Sequence, residues 1–458
     1  MTTWDASTTL RQRRHLLLPL AAVLLVGAFA ATSGLMRGGG PGDGAIGPDA
    51  AGRAALPADV GGGRTADTSV TESKIAFWQG RLARNPRSDL AWQYVGELYV
   101  QLGRETGDAA RYTLADKAFT KALAIAPGNL AARAGHARVL ATLHRFDEAS
   151  AEALAVLQAD AGATAAVAVL ADAAIETGDL AAADEAIRVL VARTDGPAVQ
   201  ARIARLAYLR GDTEAASRTV SAAAASAAGQ GDVPEAVAFY FYAAGEYRFS
   251  AGDLDGADTA YRAALGAFPG SFLALAGRGR VAFARGEVDD AIGYLRSATA
   301  MVPRPDLLAY LGDLYALRGD AADAAVTYEQ VAFIGRLGEL QAQLYNRELA
   351  LFLASHGRDT GKAIELAAAE LEKRKDIYGY DAYAWALYAD GRSAEALDPA
   401  RQANALGTRD ARLLYHLGMI ELADGLTADG RDHLEAALAL NPAFDPLGAA
   451  DARKALER

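Results

Sequence analysis

The chain has 458 residues and a formal net charge of −11, with 52% hydrophobic, 22% charged and 8% aromatic side chains. That length exceeds one ordinary globular core and points to several domains or a repeat array, while the composition excludes wholesale disorder. Cysteine is absent, which excludes disulfides, thiolate metal sites, thiol nucleophiles and a lipidated-cysteine anchor.

Residues 1–15 make a basic leader with Arg11, Arg13 and Arg14, and residues 16–36 follow as an apolar run without formal charge. As a helix this run covers roughly 31 Å, about the thickness of the hydrocarbon layer. The flanking arginines hold the leader in the cytoplasm and place everything after Met36 across the membrane. Ala28-Phe29-Ala30 offers the small residues of a signal-peptidase site, so a single-pass anchor and an exported chain cleaved near Ala30 are both open. Gly, Ala, Pro and Asp dominate residues 37–70, which carry no apolar periodicity and read as a flexible linker. Residues 1–69 hold six arginines against five aspartates, so the rest of the chain stands at −12. Such an acidic body makes nucleic acid a poor partner.

From residue 71 onward the chain is Ala-rich, with apolar residues spaced three and four apart as in amphipathic helices. A leading helix is expected over 71–88, a repeat array over 89–444 and a C-terminal capping helix over 445–458. The recurring unit is about 34 residues long. Its clearest copy is Trp92, Val95, Gly96, Tyr99, Ala115, Phe119, Ala122 and Pro127; a second is Leu308, Leu311, Gly312, Tyr315, Gly319, Ala324 and Tyr328. Small residues recur in ten pairs, from Gly96 with Ala115 to Gly418 with Gly430, where two antiparallel helices must approach closely. Glycines such as Gly178, Gly211, Gly252, Gly286 and Gly391 mark the turn inside each pair, and Pro127, Pro269, Pro303 and Pro442 close repeats. The stretches Arg104 to Tyr112 and Ser221 to Pro234 are insertions, read as loops or extended helix ends.

This pattern resembles the tetratricopeptide repeat family, W-x2-L-G-x2-Y followed by A-x3-F-x2-A and a closing proline. The resemblance implies an all-α, right-handed superhelical solenoid of about ten helix-turn-helix repeats, whose first helices line a concave groove that takes protein or peptide partners. The groove position implied by the family is Glu97, Arg138, Asp172, Arg205, Glu246, Arg280 and Asp313 through the first seven repeats, a strict alternation of sign. Two readings stay open: charges that pair across adjacent repeats, or a surface for a mixed-charge peptide. In the last three repeats the position becomes Leu351, Trp385 and Met419, joined by Tyr378, Tyr388 and Tyr415 into an aromatic patch suited to a peptide. Tyr208, Phe239, Tyr242, Phe249 and Phe283 form a second, weaker set. The Lys, Asn and Arg set with which some family members grip a terminal carboxylate is missing from the first three repeats.

No catalytic motif stands in a strand-to-helix context, and the histidines are scattered over distant repeats without metal-pair spacing. The sequence therefore reads as a non-catalytic scaffold without cofactor or metal, docking protein partners on the outer side of the cytoplasmic membrane. An enzyme or small-ligand receptor using the groove around Trp385, Tyr388 and His416 is the rival, and a closed pocket with converging polar groups there would favour it.

Overall fold

The computed structural model describes residues 68–341 and 345–458. The expected membrane segment 16–36 and most of the linker lie outside the described residues. Among the described residues no helix is long and apolar enough to cross a membrane, and no strand occurs.

Twenty-two helices follow one another along the described chain. The leading helix is α1 (Ser69–Arg84), followed by five pairs: α2 (Asp89–Thr106) with α3 (Ala109–Ile125), α4 (Leu130–Thr142) with α5 (Phe146–Ala159), α6 (Thr164–Glu176) with α7 (Leu180–Val191), α8 (Pro197–Leu209) with α9 (Thr213–Gln230), and α10 (Pro234–Ser250) with α11 (Leu254–Ala267). Five more are α12 (Phe272–Ala284) with α13 (Val288–Met301), α14 (Pro305–Arg318) with α15 (Ala321–Gln341), α16 (Asn346–Ser355) with α17 (Thr360–Lys373), α18 (Ile377–Ala389) with α19 (Ser393–Asn404), and α20 (Ala411–Ala423) with α21 (Thr427–Leu440), before α22 (Gly448–Leu456). The first (A) and second (B) helix of each pair pack extensively on one another, and α9 also packs closely on α10, so the ten expected repeats are ten helical hairpins. The helix α1 starts two residues earlier than the sequence suggests, taking Ser69 and Val70 from the expected linker.

The small residues sit where the helices cross. Ala115, Ala149, Ala183, Ala216, Ala257 and Ala291 are all completely buried. A Cβ on Gly96 or Gly135 would stand 2.9 or 2.6 Å from the Phe119 ring, and one on Gly245 or Gly277 would meet Tyr261 at 2.4 or 2.5 Å. One B-helix aromatic thus fills the notch left by glycines on two successive A helices. Gly-Asp dipeptides join the two helices inside several hairpins: Gly178, Gly211 and Gly252 end α6, α8 and α10 in the left-handed region, while Asp179, Asp212 and Asp253 cap the next helix by accepting from its backbone N–H. Both insertions are absorbed as helix, with α2 running to Thr106 and α9 to Gln230.

An array whose repeats touch only their neighbours would leave its concave face open. Here the second half of the array returns onto the first. The turn between α2 and α3 lies against the end of α13, where a Cβ on Gly107 would stand 2.9 Å from Val302. The turn between α6 and α7 meets the α17–α18 loop: Glu176 pairs with Arg374, and a Cβ on Gly178 would be 2.2 Å from the carbonyl oxygen of Lys375. Thr408 donates to the carbonyl of Leu209, and Asn441 Nδ2 donates to that of Phe249 at 2.9 Å. Repeats 1, 3, 4 and 5 therefore rest on the connections five repeats later. Apolar packing accompanies these bonds, since Ile377, Ala403 and Leu413 join the core formed by Val167, Ile175, Leu206 and Leu209.

Candidate functional site

Because the coil closes on itself, the inward faces of the A helices surround a cavity of about 520 Å³ reaching from Asp172 on α6 to Asp451 on α22. Its wall holds seven arginines and nine aspartates or glutamates, interleaved with Tyr208, Tyr242, Tyr247, Tyr310, Tyr378 and Tyr415. Charge inside is thus nearly balanced, in contrast to the acidic exterior.

The predicted groove positions divide between the cavity and its surroundings. Asp172, Arg205, Glu246, Arg280 and Asp313 line it, whereas Glu97 and Arg138, in the first two repeats, do not. Glu97 with Arg138 and Glu246 with Arg280 bridge consecutive repeats as pairs. Asp172 is taken by Arg202, one turn before Arg205, through bonds of 2.8 and 2.6 Å; Arg205 reaches Glu176 at 3.8 Å. Burial raises the Asp172 carboxyl to about 6, against the pull of Arg202. Asp313 accepts from Tyr328 Oη at 2.7 Å and faces His356 Nε2 at 2.8 Å. Burial lowers the His356 pKa, and the hydrogen bond and charge of Asp313 more than reverse this, leaving it raised. The alternating ladder is therefore resolved into local pairs.

In the C-terminal set, Leu351, Tyr378, Trp385 and Tyr415 line the cavity. Trp385 is 6% exposed and lies between Tyr388 and His416, ring centroids 4.8 and 4.0 Å away. Its indole N–H donates to Ser355 Oγ at 2.9 Å, and His416 Nδ1 stands 2.8 Å from Asp381. Both faces of the indole are covered, so the tryptophan organises the wall. Tyr388 and Met419 are half-buried behind the cavity surface, packed against the core. Of the middle set, Tyr208, Phe239, Tyr242 and Phe249 line the cavity, while Phe283 stands edge-on to Tyr310 at 6.1 Å.

Sequence reasoning missed Arg202, Tyr310, Arg412 and Asp445, all on the cavity wall. Arg412 had a signal: it stands seven residues before Met419 on the same helix, the offset by which Tyr378 precedes Trp385. Asp445 had none, because it lies in the connection to α22.

A tetratricopeptide repeat family model matches residues 242–304 and 289–339, on α10 to α15. The chain carries tetratricopeptide repeats. No curated protein matches it. Similar solved structures include the human IFIT1 dimer with PPP-AAAA, 16% identical over 81% of this chain and 87% of that one, with a TM-score of 0.44. Others are the APC/C hetero-tetramer Cut9–Hcn1, at 14% identity, 86% and 94% coverage and a TM-score of 0.32, and a tetratricopeptide repeat protein from Parabacteroides merdae, at 16%, 57% and 98%, and 0.30. These likenesses concern the helical fold. Among the described residues no three His, Asp or Glu side chains converge as a metal site.

Proposed function

We propose that this chain is a non-catalytic tetratricopeptide scaffold that binds a protein segment, held on the outer side of the cytoplasmic membrane by residues 16–36. The observation that carries the docking reading is the lumen: the A helices turn aromatic and balanced charged groups toward a common space whose volume of about 520 Å³ suits a short extended segment rather than a folded domain. The topology rests on the apolar run and its arginine flank. A photo-crosslinking residue placed at Leu351 or Phe239 in the cell tests the docking surface, with Leu154 and Val326, exposed on the outside, as comparison positions. Crosslinks to a protein partner from the first two support the reading; crosslinks only from the outer two overturn it. A reporter enzyme active only outside the cytoplasm, fused after Arg458, tests the topology, and a silent fusion overturns it.

A second reading, a receptor for a small ligand, is favoured by the enclosure of Trp385 and His416 in the cavity wall. A volume of about 520 Å³ falls in the range of small-molecule sites, about 300–1,000 Å³.

A further inference from the structure

Six of the seven arginines on the cavity wall are committed to carboxylates: Arg202 to Asp172, Arg205 and Arg374 to Glu176, Arg280 to Glu246, Arg304 to Asp306 and Arg347 to Asp376. Arg412 is the exception. Its side chain makes no hydrogen bond or ion pair with any described residue, and its Nε is fully buried without a partner. The same end of the lumen holds three carboxylates outside any ion pair, Asp410, Asp445 and the exposed Asp451. Asp410 caps α20 by accepting from the backbone N–H of Arg412 at 2.9 Å, and its other oxygen stands 3.5 Å from Tyr378 Oη. Asp445 accepts from the backbone N–H groups of Leu447 and Gly448 through one oxygen, at 3.0 and 2.7 Å. Asp410 and Asp445 lie within electrostatic reach of the Arg412 guanidinium, as does the buried Asp381 that faces His416. The buried hydroxyl of Tyr310 and the buried Nη1 of Arg304, also on the cavity wall, have no hydrogen-bond partner either.

Opposite charges held near one another but not in contact, inside a protein, leave each with an uncompensated desolvation cost. A ligand carrying both charges compensates both sides at once. An anion alone would meet Arg412 but also the surplus of carboxylates, and a cation alone would meet Arg412 as a like charge. Trp385 and Tyr415 supply an apolar wall beside these groups.

We propose that the C-terminal end of the lumen binds a small zwitterion, a free amino acid or dipeptide, with its carboxylate on Arg412 and its ammonium group facing Asp410 and Asp445. This goes beyond the scaffold reading and does not require it, since it rests on the charged groups at one end of the lumen alone. The test is equilibrium dialysis of the full chain against an equimolar mixture of free amino acids and random dipeptides, in parallel with the same mixture N-acetylated and the same mixture C-amidated. The free mixture should contain members retained at least tenfold over both capped forms. Arg412→Met should lose that retention at least tenfold and Arg412→Lys keep part of it, with unchanged circular dichroism. Equal retention of capped and free mixtures, retention undiminished in folded Arg412→Met, or no retention overturns the proposal. If Arg412→Met does not fold, the capped and free comparison on the wild type still decides. Crosslinking to a protein partner at Leu351 is unaffected by any of these outcomes, so the two readings fail separately.

Discussion

The turns inside the first five hairpins and those inside the last five carry nearly the same residues and live in different surroundings. Gly178, Gly211 and Gly252 have positive φ, and a Cβ on each would fall 2.2 to 2.6 Å from a backbone carbonyl oxygen five repeats away. Gly286, Gly319, Gly357, Gly391 and Gly425 also have positive φ, but nothing lies within 4 Å of that position. One set is glycine for two reasons and the other for one. In repeat 2 the equivalent place is taken by His144, left-handed at φ 57 and beside Arg374 and Arg347. A turn signal in a repeat protein therefore reports the local backbone, and says nothing of whether a second coil will press against it.

The contrast can be broken hardest at the ionic seam. Arg374→Met leaves the buried Glu176 with only the more distant Arg205, and Glu370 and Asp376 with Arg347 alone, and is expected to cost about 3 kcal/mol, read as a fall in the urea midpoint. Gly178→Ala should cost about 3 kcal/mol, combining left-handed strain with a clash against the Lys375 carbonyl. Asn441→Ala removes the donor to the Phe249 carbonyl and should cost about 1–2 kcal/mol. Gly391→Ala, at an open turn, should cost only about 1 kcal/mol, and Gly391→Asn less. Equal losses at Gly178 and Gly391 would show that the two coils do not press together.

Two histidines sharpen the comparison with opposite signs. His144, at the seam, is held well below its ordinary 6.5 by burial and by Arg374, Arg347 and Lys373. The folded state therefore takes up its proton less readily than the unfolded chain, and stability should fall as pH drops below 6.5. His356, in the lumen, is raised above 6.5 with Asp313 as partner, so its contribution is complete below 6.5 and is lost as pH rises through its folded value. Melting temperatures followed against pH should show the acid-side loss disappear in His144→Asn and the alkaline-side loss disappear in His356→Gln. Each shift is expected to be about 2 °C.

Much of the helical order was legible in the residues. Every small pair from Gly96 with Ala115 to Gly418 with Gly430 falls on the two helices of one hairpin, where close approach excludes larger side chains whatever lies beyond the hairpin. Pro127, Pro269, Pro303 and Pro442 each fall just after a B helix. The insertions were ambiguous because nothing in Ser221 to Pro234 distinguishes a loop from an extended helix, and Ala-rich segments favour the latter. At the site, Tyr378, Trp385, Arg205 and Arg280 were found from the groove position, whereas Arg202 and Arg412 were missed because they lie one or two turns from it on the same helices. The partner of Asp172 could not be read, since Arg202 and Arg205 are both within one helical turn and only side-chain packing selects between them.

The amino-acid sequence alone determined the hairpins, their number and their small-residue crossings, because those depend on interactions within a few tens of residues. Whether the inner face would be an open trough or an enclosed lumen was decided by the tertiary structure. The rise of a coil is a sum of small rotations between repeats, none of which is encoded at any one position. The bonds that stop it, Arg374 to Glu176 and Asn441 to Phe249, join residues about two hundred positions apart.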